Sequence, residues 1–154
     1  DRGQPGEVSL NEVIERAIHW ITRGTAPDLR VHWQPGADVR VHANAGQLLQ
    51  VLMNLMQNAY DAARAGGNAA QLWIALSHAS GWAELALRDN GPGIAEEHLS
   101  QVFEPFFSTK PVGQGTGLGL SISYGIVEGC GGTLQAGNHP DGGALFHLRL
   151  PALG

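Results

Sequence analysis

The sequence predicts an α+β fold, a two-layer α/β sandwich in which three main helices cover one face of a mixed, mostly antiparallel sheet. Three observations predict it. Long segments with apolar residues every three or four positions alternate with short runs whose apolar residues recur every second position. The short runs come in pairs parted by turn residues. The order along the chain is helix, strands, helix, strands, helix, strands, with no linker, repeat or low-complexity tract, so residues 1–154 are expected to form one domain.

The elements follow in order. Leu10–Ile21 carries Leu10, Val13, Ile14, Ala17, Ile18 and Ile21 on one helical face, with Ser9 or Asn11 able to cap it. "LRVHW" and "VRVHA" are short strands around "QPGAD", read as a hairpin or as neighbouring strands. Asn44–Gly67 is the strongest helix and stops at Gly-Gly. "AQLWIALSHA" and "WAELALRD" are strands joined at "SG", a short helix is expected around "AEEHLSQVF", and "FEPFFSTKPVGQG" is irregular. In that stretch Phe103, Phe106 and Phe107 are expected in the core, or as anchors for the mobile glycine segment that follows. "LGLSISYGIVEGCGG" is a helix with a glycine exit, and "TLQAGN" and "ALFHLRLP" are strands around "HPDGG".

Composition narrows the function. The chain is 43% hydrophobic and 15% charged, which suits a globular domain. Its net charge of −5, without a basic stripe, argues against nucleic acid as a partner. An anionic ligand must therefore be held by local groups. The single Cys130 excludes an internal disulfide and any CxxC zinc pattern, which favours a reducing compartment. No apolar run is long enough to span a membrane, and the first residues lack the features of a signal peptide.

Three stretches carry chemistry. On the central helix Leu48, Val51, Leu52, Leu55, Ala59, Ala62 and Ala63 form one face, and Gln47, Gln50, Asn54, Asn58 and Asp61 a narrow stripe opposite. Asn is a poor helix former, so the stripe is either plain polar surface or a row of oxygen donors aimed into a cleft, where one could ligate a hard cation such as Mg²⁺. "DNGPGI" (Asp89–Ile94) ends a strand. By composition it is a turn, and its acid is also placed to grip a ligand. "GQGTGLGLS" (Gly113–Ser121) places glycines before a helix start. It is a flexible loop, or a backbone that approaches phosphate at the positive end of the helix, with Thr116 as N-cap and Lys110 just upstream.

The ordered set Asn54-Leu-Met-Gln-Asn58, Asp89-Asn-Gly-Pro-Gly93, "FEPFF" and Gly115-Thr-Gly-Leu-Gly-Leu120 resembles the N, G1, F and G2 boxes of the catalytic, ATP-binding domain of two-component sensor histidine kinases. That domain belongs to the GHKL superfamily of gyrase-type ATPases. The resemblance runs from about Glu7 to Pro151, and "FFSTKPVGQGTGLGLSISYGIVEGCGG" is most similar to the nitrogen- and dicarboxylate-sensing subgroup. It implies the Bergerat ATP-binding fold, with a flexible lid over about residues 108–115 and with ATP and Mg²⁺ as cofactors. By position, Asp89 would accept from the exocyclic amine of adenine, a site where guanine presents a carbonyl. Gly91, Gly93, Ile94, Asp61 and Ala62 would border the base and phosphates. Asn58 would ligate Mg²⁺, and Asn54 would contact metal and phosphates. Gly115, Thr116, Gly117, Leu118, Gly119 and Leu120 would wrap the phosphates, and Lys110 would neutralise them.

The resemblance also bears on the reaction. Related ATPases place a carboxylate where this chain has Asn54, and an amide is no general base, so Asn54 favours keeping ATP for a protein acceptor. Asn54 and Lys110 are the expected catalytic residues. The family's acceptor His sits on a separate dimeric hairpin and is followed by Glu or Asp. None of the seven histidines here is. The chain is therefore expected to be a monomeric, cytoplasmic fragment without membrane contact, taken from a homodimeric parent that is either soluble or membrane-anchored. Its expected partners are the phosphoacceptor-His dimerisation domain and a response regulator receiver domain. The alternatives are a nucleotide-binding pseudokinase module, a GHKL-type ATPase, and a serine-directed kinase of the anti-sigma-factor type. Two departures stand out: Asp61 replaces a frequent basic residue, and Ala144 replaces a frequent Ser or Thr.

Overall fold

The computed structural model describes residues 4–67, 69–105, 107 and 119–153. These form seven strands, three α-helices and one short 3-10 turn. Strand β1 (Gly6–Ser9) leads into helix α1 (Leu10–Arg23). Ser9 caps α1 by accepting from the Glu12 main-chain N–H. Asn11 does not cap. Buried, it accepts from Val39 N at 2.9 Å and donates to the Ala37 carbonyl at 3.2 Å. Helix α2 (Ala45–Ala65) is capped by Asn44, whose Oδ1 accepts from Gln47 N, and it stops at Gly66.

The main sheet has five strands in the order β2-β4-β5-β7-β6. These are β2 (Arg30–Trp33), β4 (Gln71–Ala79), β5 (Trp82–Asp89), β7 (Ala144–Pro151) and β6 (Thr133–Asn138). All neighbours are antiparallel except β2, which runs parallel to β4. Strand β3 (Arg40–Ala43) pairs instead with β1 in a separate two-stranded sheet. The hairpin or side-by-side reading of β2 and β3 is therefore corrected. Residues 34–39 cross between the sheets because Asn11 and Ser9 tie the Ala37–Val39 stretch to the start of α1, with Ser9 Oγ donating to Asp38 at 2.5 Å.

Helix α2 packs on β4 and β5, α1 against α2, and α3 (Gly119–Gly129) against α2 and β6. The core lies between these helices and one sheet face. Leu48, Leu52 and Leu55 meet Leu72, Leu85, Leu87, Phe146 and Leu148 there. Met56 joins this face, and Ala62 sits at its edge, half-buried. The helix expected around "AEEHLSQVF" shortens to a single 3-10 turn, Glu96–His98, followed by turns. None of the three residues in that turn is buried, so no tertiary packing offsets the cost of nucleating a helix. Phe103 packs against the core from its edge, half-buried, 5.1 Å from Tyr124 and 6.2 Å from Phe146. Phe107 is half-buried against His98, and Phe106 lies outside the described residues. No described helix is long and apolar enough to cross a membrane.

Candidate nucleotide site

Strand β5 alternates strictly, with Ala83, Leu85, Leu87 and Asp89 buried and their neighbours not. Asp89 therefore inherits the inward direction of the leucines and aims a carboxylate at the helical layer. Only 1% of it is exposed. A buried charge needs donors, and two main-chain N–H groups supply them at Oδ1: Gly91 at 2.8 Å and Ala144 at 3.1 Å. Burial pushes the carboxyl above its usual range, while those two N–H groups and the nearby Arg88 charge pull the other way. Ala144, noted as a departure by its side chain, thus contributes through its backbone.

The loop after Asp89 is fixed by close approach. A Cβ on Gly91 would lie 2.8 Å from the carbonyl of Ala62 on α2, so a glycine is needed there for contact with the helix. Gly143 is tighter still. At φ +88° its Cβ would fall 1.8 Å from the Asp89 carbonyl oxygen. Asn90 turns outward and bridges back to β4, accepting from Gln71 N at 2.9 Å and donating to Ala69 O at 2.8 Å. At the loop's far end Asn138 pairs with both main-chain groups of Ile94. The residue-type signals in the sequence do not single out Asn138. Its position in "GNHPDGG" reads as turn chemistry.

Helix α2 brings Asn54, Asn58, Asp61 and Ala62 to the same side as this loop, since Ala62 is the residue Gly91 meets. Asn54 donates from Nδ2 to the Gly119 carbonyl and to Ser123 Oγ, both at 3.3 Å, and so ties the start of α3 to α2. Ser123 is fully buried. Asp61 accepts from Gln57 Nε2 at 3.0 Å. Asn58 is half-buried and makes no side-chain hydrogen bond among the described residues. Gly119 and Leu120 open α3 beside Asn54. Lys110, Gly115, Thr116, Gly117 and Leu118, with the expected lid and the Thr116 cap, lie outside the described residues.

The donor set suits Mg²⁺ carried by a phosphate chain. No group of three or more His, Cys, Asp or Glu side chains forms a metal cage among the described residues. A neutral amide oxygen on Asn58 fits an ion that takes most of its ligands from phosphate and water. A buried acceptor at the end of β5 and a carboxamide stripe beside a helix start suit a base linked to an anionic tail.

The family of histidine kinase-, DNA gyrase B-, and HSP90-like ATPases matches residues 43–154, and this chain belongs to it as the ATP-binding domain of a two-component sensor histidine kinase. It is 38% identical over 151 residues to the C4-dicarboxylate transport sensor protein DctB of Pseudomonas aeruginosa, covering 97% of this chain and 25% of DctB. The chain thus spans a quarter of that relative's length. Among solved structures, the mycobacterial sensor histidine kinase MprB superposes with a TM-score of 0.85 at 28% identity, covering 97% of this chain and 98% of the other. The catalytic domain of histidine kinase ThkA gives 0.83 at 32% identity, covering 97% and 96%. Another ThkA structure is a complex with the response regulator protein TrrA.

Proposed function

We propose that this chain binds Mg-ATP and donates the γ-phosphoryl group to a His on a separate dimerisation hairpin, for onward transfer to a response regulator receiver domain. The observation that carries the reading is Asp89, a buried carboxylate at the end of β5 whose Oδ1 is already engaged by two main-chain donors. With Oδ1 so oriented, the adenine amine donates to the other oxygen. Asn58 offers its amide oxygen to the metal, and Asn54, through Gly119, sets where α3 begins. When bound, Mg²⁺ supplies charge neutralisation across the phosphates. The residues of this chain supply position, since an amide at Asn54 cannot activate water.

The reading extends to the parent protein, a homodimer whose hairpin carries the acceptor. The DctB and ThkA relationships support it, as do the four boxes in their order. Two assays test it. Titration of the chain with a fluorescent ATP analogue should give Mg²⁺-dependent binding that Asn58→Ala weakens. Incubation with γ-labelled ATP and a supplied acceptor hairpin should label the hairpin on His. Binding without transfer would point to a pseudokinase, and steady ATP turnover without an acceptor would point to an ATPase.

A further inference from the structure

We propose that Asn138, at the C-terminal end of β6, is a positioning residue for base recognition: it holds the loop after Asp89 in the shape that presents the purine contact. This rests on Asp89 being the adenine acceptor.

The geometry is a two-point pairing. The Ile94 N–H donates to Asn138 Oδ1 at 2.7 Å, and Asn138 Nδ2 donates to the Ile94 carbonyl at 2.8 Å. A carboxamide matched to a peptide group in this way imitates a rung of β-ladder, so it fixes both the position and the tilt of residue 94. Space has been made for it. Gly93 sits at φ +86°, and a Cβ there would come within 2.7 Å of Asn138 Oδ1. The left-handed glycine therefore serves the clamp as well as the turn.

The rest of the loop is anchored from the other side. Asp89 is tied to Gly91 and Ala144, and Asn90 to Ala69 and Gln71. These contacts secure the loop's beginning, and Asn138 secures its end, 44 residues away in sequence. Pro92 and Gly93 hang between the two anchors. Asn138 itself is exposed, at the edge of the sheet. Such a bond adds little to global stability. It acts on a local equilibrium, between a loop shaped for the base and a loop that is not. A ligand that needs the shaped loop loses affinity in proportion to the shaped fraction. Two net hydrogen bonds support a change of about tenfold in the equilibrium constant between the two shapes, which sets the largest loss of affinity.

The consequence is a selective loss. ATP uses the base contact, so Asn138→Ala should weaken Mg-ATP binding by about twofold or more, to a limit of about tenfold. GTP cannot satisfy Asp89 and draws on the phosphate contacts, so its weaker binding should change much less. The preference for ATP over GTP should narrow, which a merely weakened fold would not produce. Asn138→Asp keeps the acceptor for Ile94 N–H but sets an oxygen against the Ile94 carbonyl, so its loss should be at least as large. Amide exchange read residue by residue should speed up at Ile94 and stay slow at Leu85 and Leu148.

The test is competitive titration of the full chain with Mg-ATP and Mg-GTP, on the native protein, Asn138→Ala, Asn138→Asp and Asp89→Asn, with amide exchange on each. Native ATP affinity in Asn138→Ala overturns the proposal. Equal losses of ATP and GTP with fast exchange across the whole sheet overturn it too, because Asn138 would then support the fold and not the loop. If the native chain binds ATP no better than Asp89→Asn, the adenine assignment itself fails. That comparison leaves Asn138 untouched, so the two failures are told apart.

Discussion

Replacing Asp89 by Asn should separate stability from binding in this domain. The carboxylate is 1% exposed, and burial raises its pKa above the unfolded value. A group with a raised folded pKa contributes stability below its unfolded pKa and loses it as pH rises through the folded one. Above that raised pKa the native chain has lost the contribution and holds a desolvated charge. The substituted amide would be isosteric and neutral, and its oxygen could still accept from Gly91 and Ala144. Asp89→Asn should thus melt at or above the native temperature on the alkaline side of that pKa, and it should lack the native chain's decline in stability as pH rises from the unfolded pKa through the raised folded one. Binding moves the other way. The amide turned toward adenine would offer N–H where the exocyclic amine also offers N–H. A buried polar group left without its partner costs about 1–3 kcal/mol, or about 5- to 150-fold in Kd. Binding by the native chain should weaken as pH falls through the raised pKa, because the protonated carboxyl loses its acceptor character. Thermal melts from pH 4 to 8 and titration with a fluorescent ATP analogue measure both effects. Equal affinity in the two proteins would refute the assignment, and a native stability that does not fall with rising pH relative to the variant would refute the desolvation argument.

Gly143→Ala should be among the most damaging single changes, since its Cβ would collide with the Asp89 carbonyl at a positive φ. A loss of about 3 kcal/mol or more in urea unfolding is expected, and a loss below about 1 kcal/mol would contradict it. Asn54→Asp should loosen the start of α3 by removing the donor to Gly119 and Ser123, lowering stability by about 1–3 kcal/mol. Faster amide exchange at the first turn of α3 checks this prediction.

Much of the fold is legible in the sequence because its signals are local. The apolar stripe of α2, the Ser9 and Asn44 caps and the strict alternation of β5 each arise within a few residues of chain. The 3-10 turn at Glu96–His98 reads as a longer helix because its polar and apolar residues suit one, yet no core lies beneath it. Strands β2 and β3 read as partners because nearness in sequence and a Pro-Gly turn favour a hairpin. Val39 and Ala37 have partners on Asn11, which nothing in the local pattern announces.

The sequence by itself determined most of the helices and strands and the order of the boxes that places the chain in its family, since each depends on residue type and short-range spacing. Tertiary structure alone decided that β2 runs parallel to β4, that Ala144 supplies a donor to Asp89 from 55 residues away, that Gly91 is required by the backbone of α2, and that Asn138 grips Ile94. Those are contacts between segments brought together only when the hydrophobic layers close. A hydrogen bond between distant residues leaves no periodicity in the sequence, and a glycine needed for close approach looks like any other glycine until its neighbour is in place.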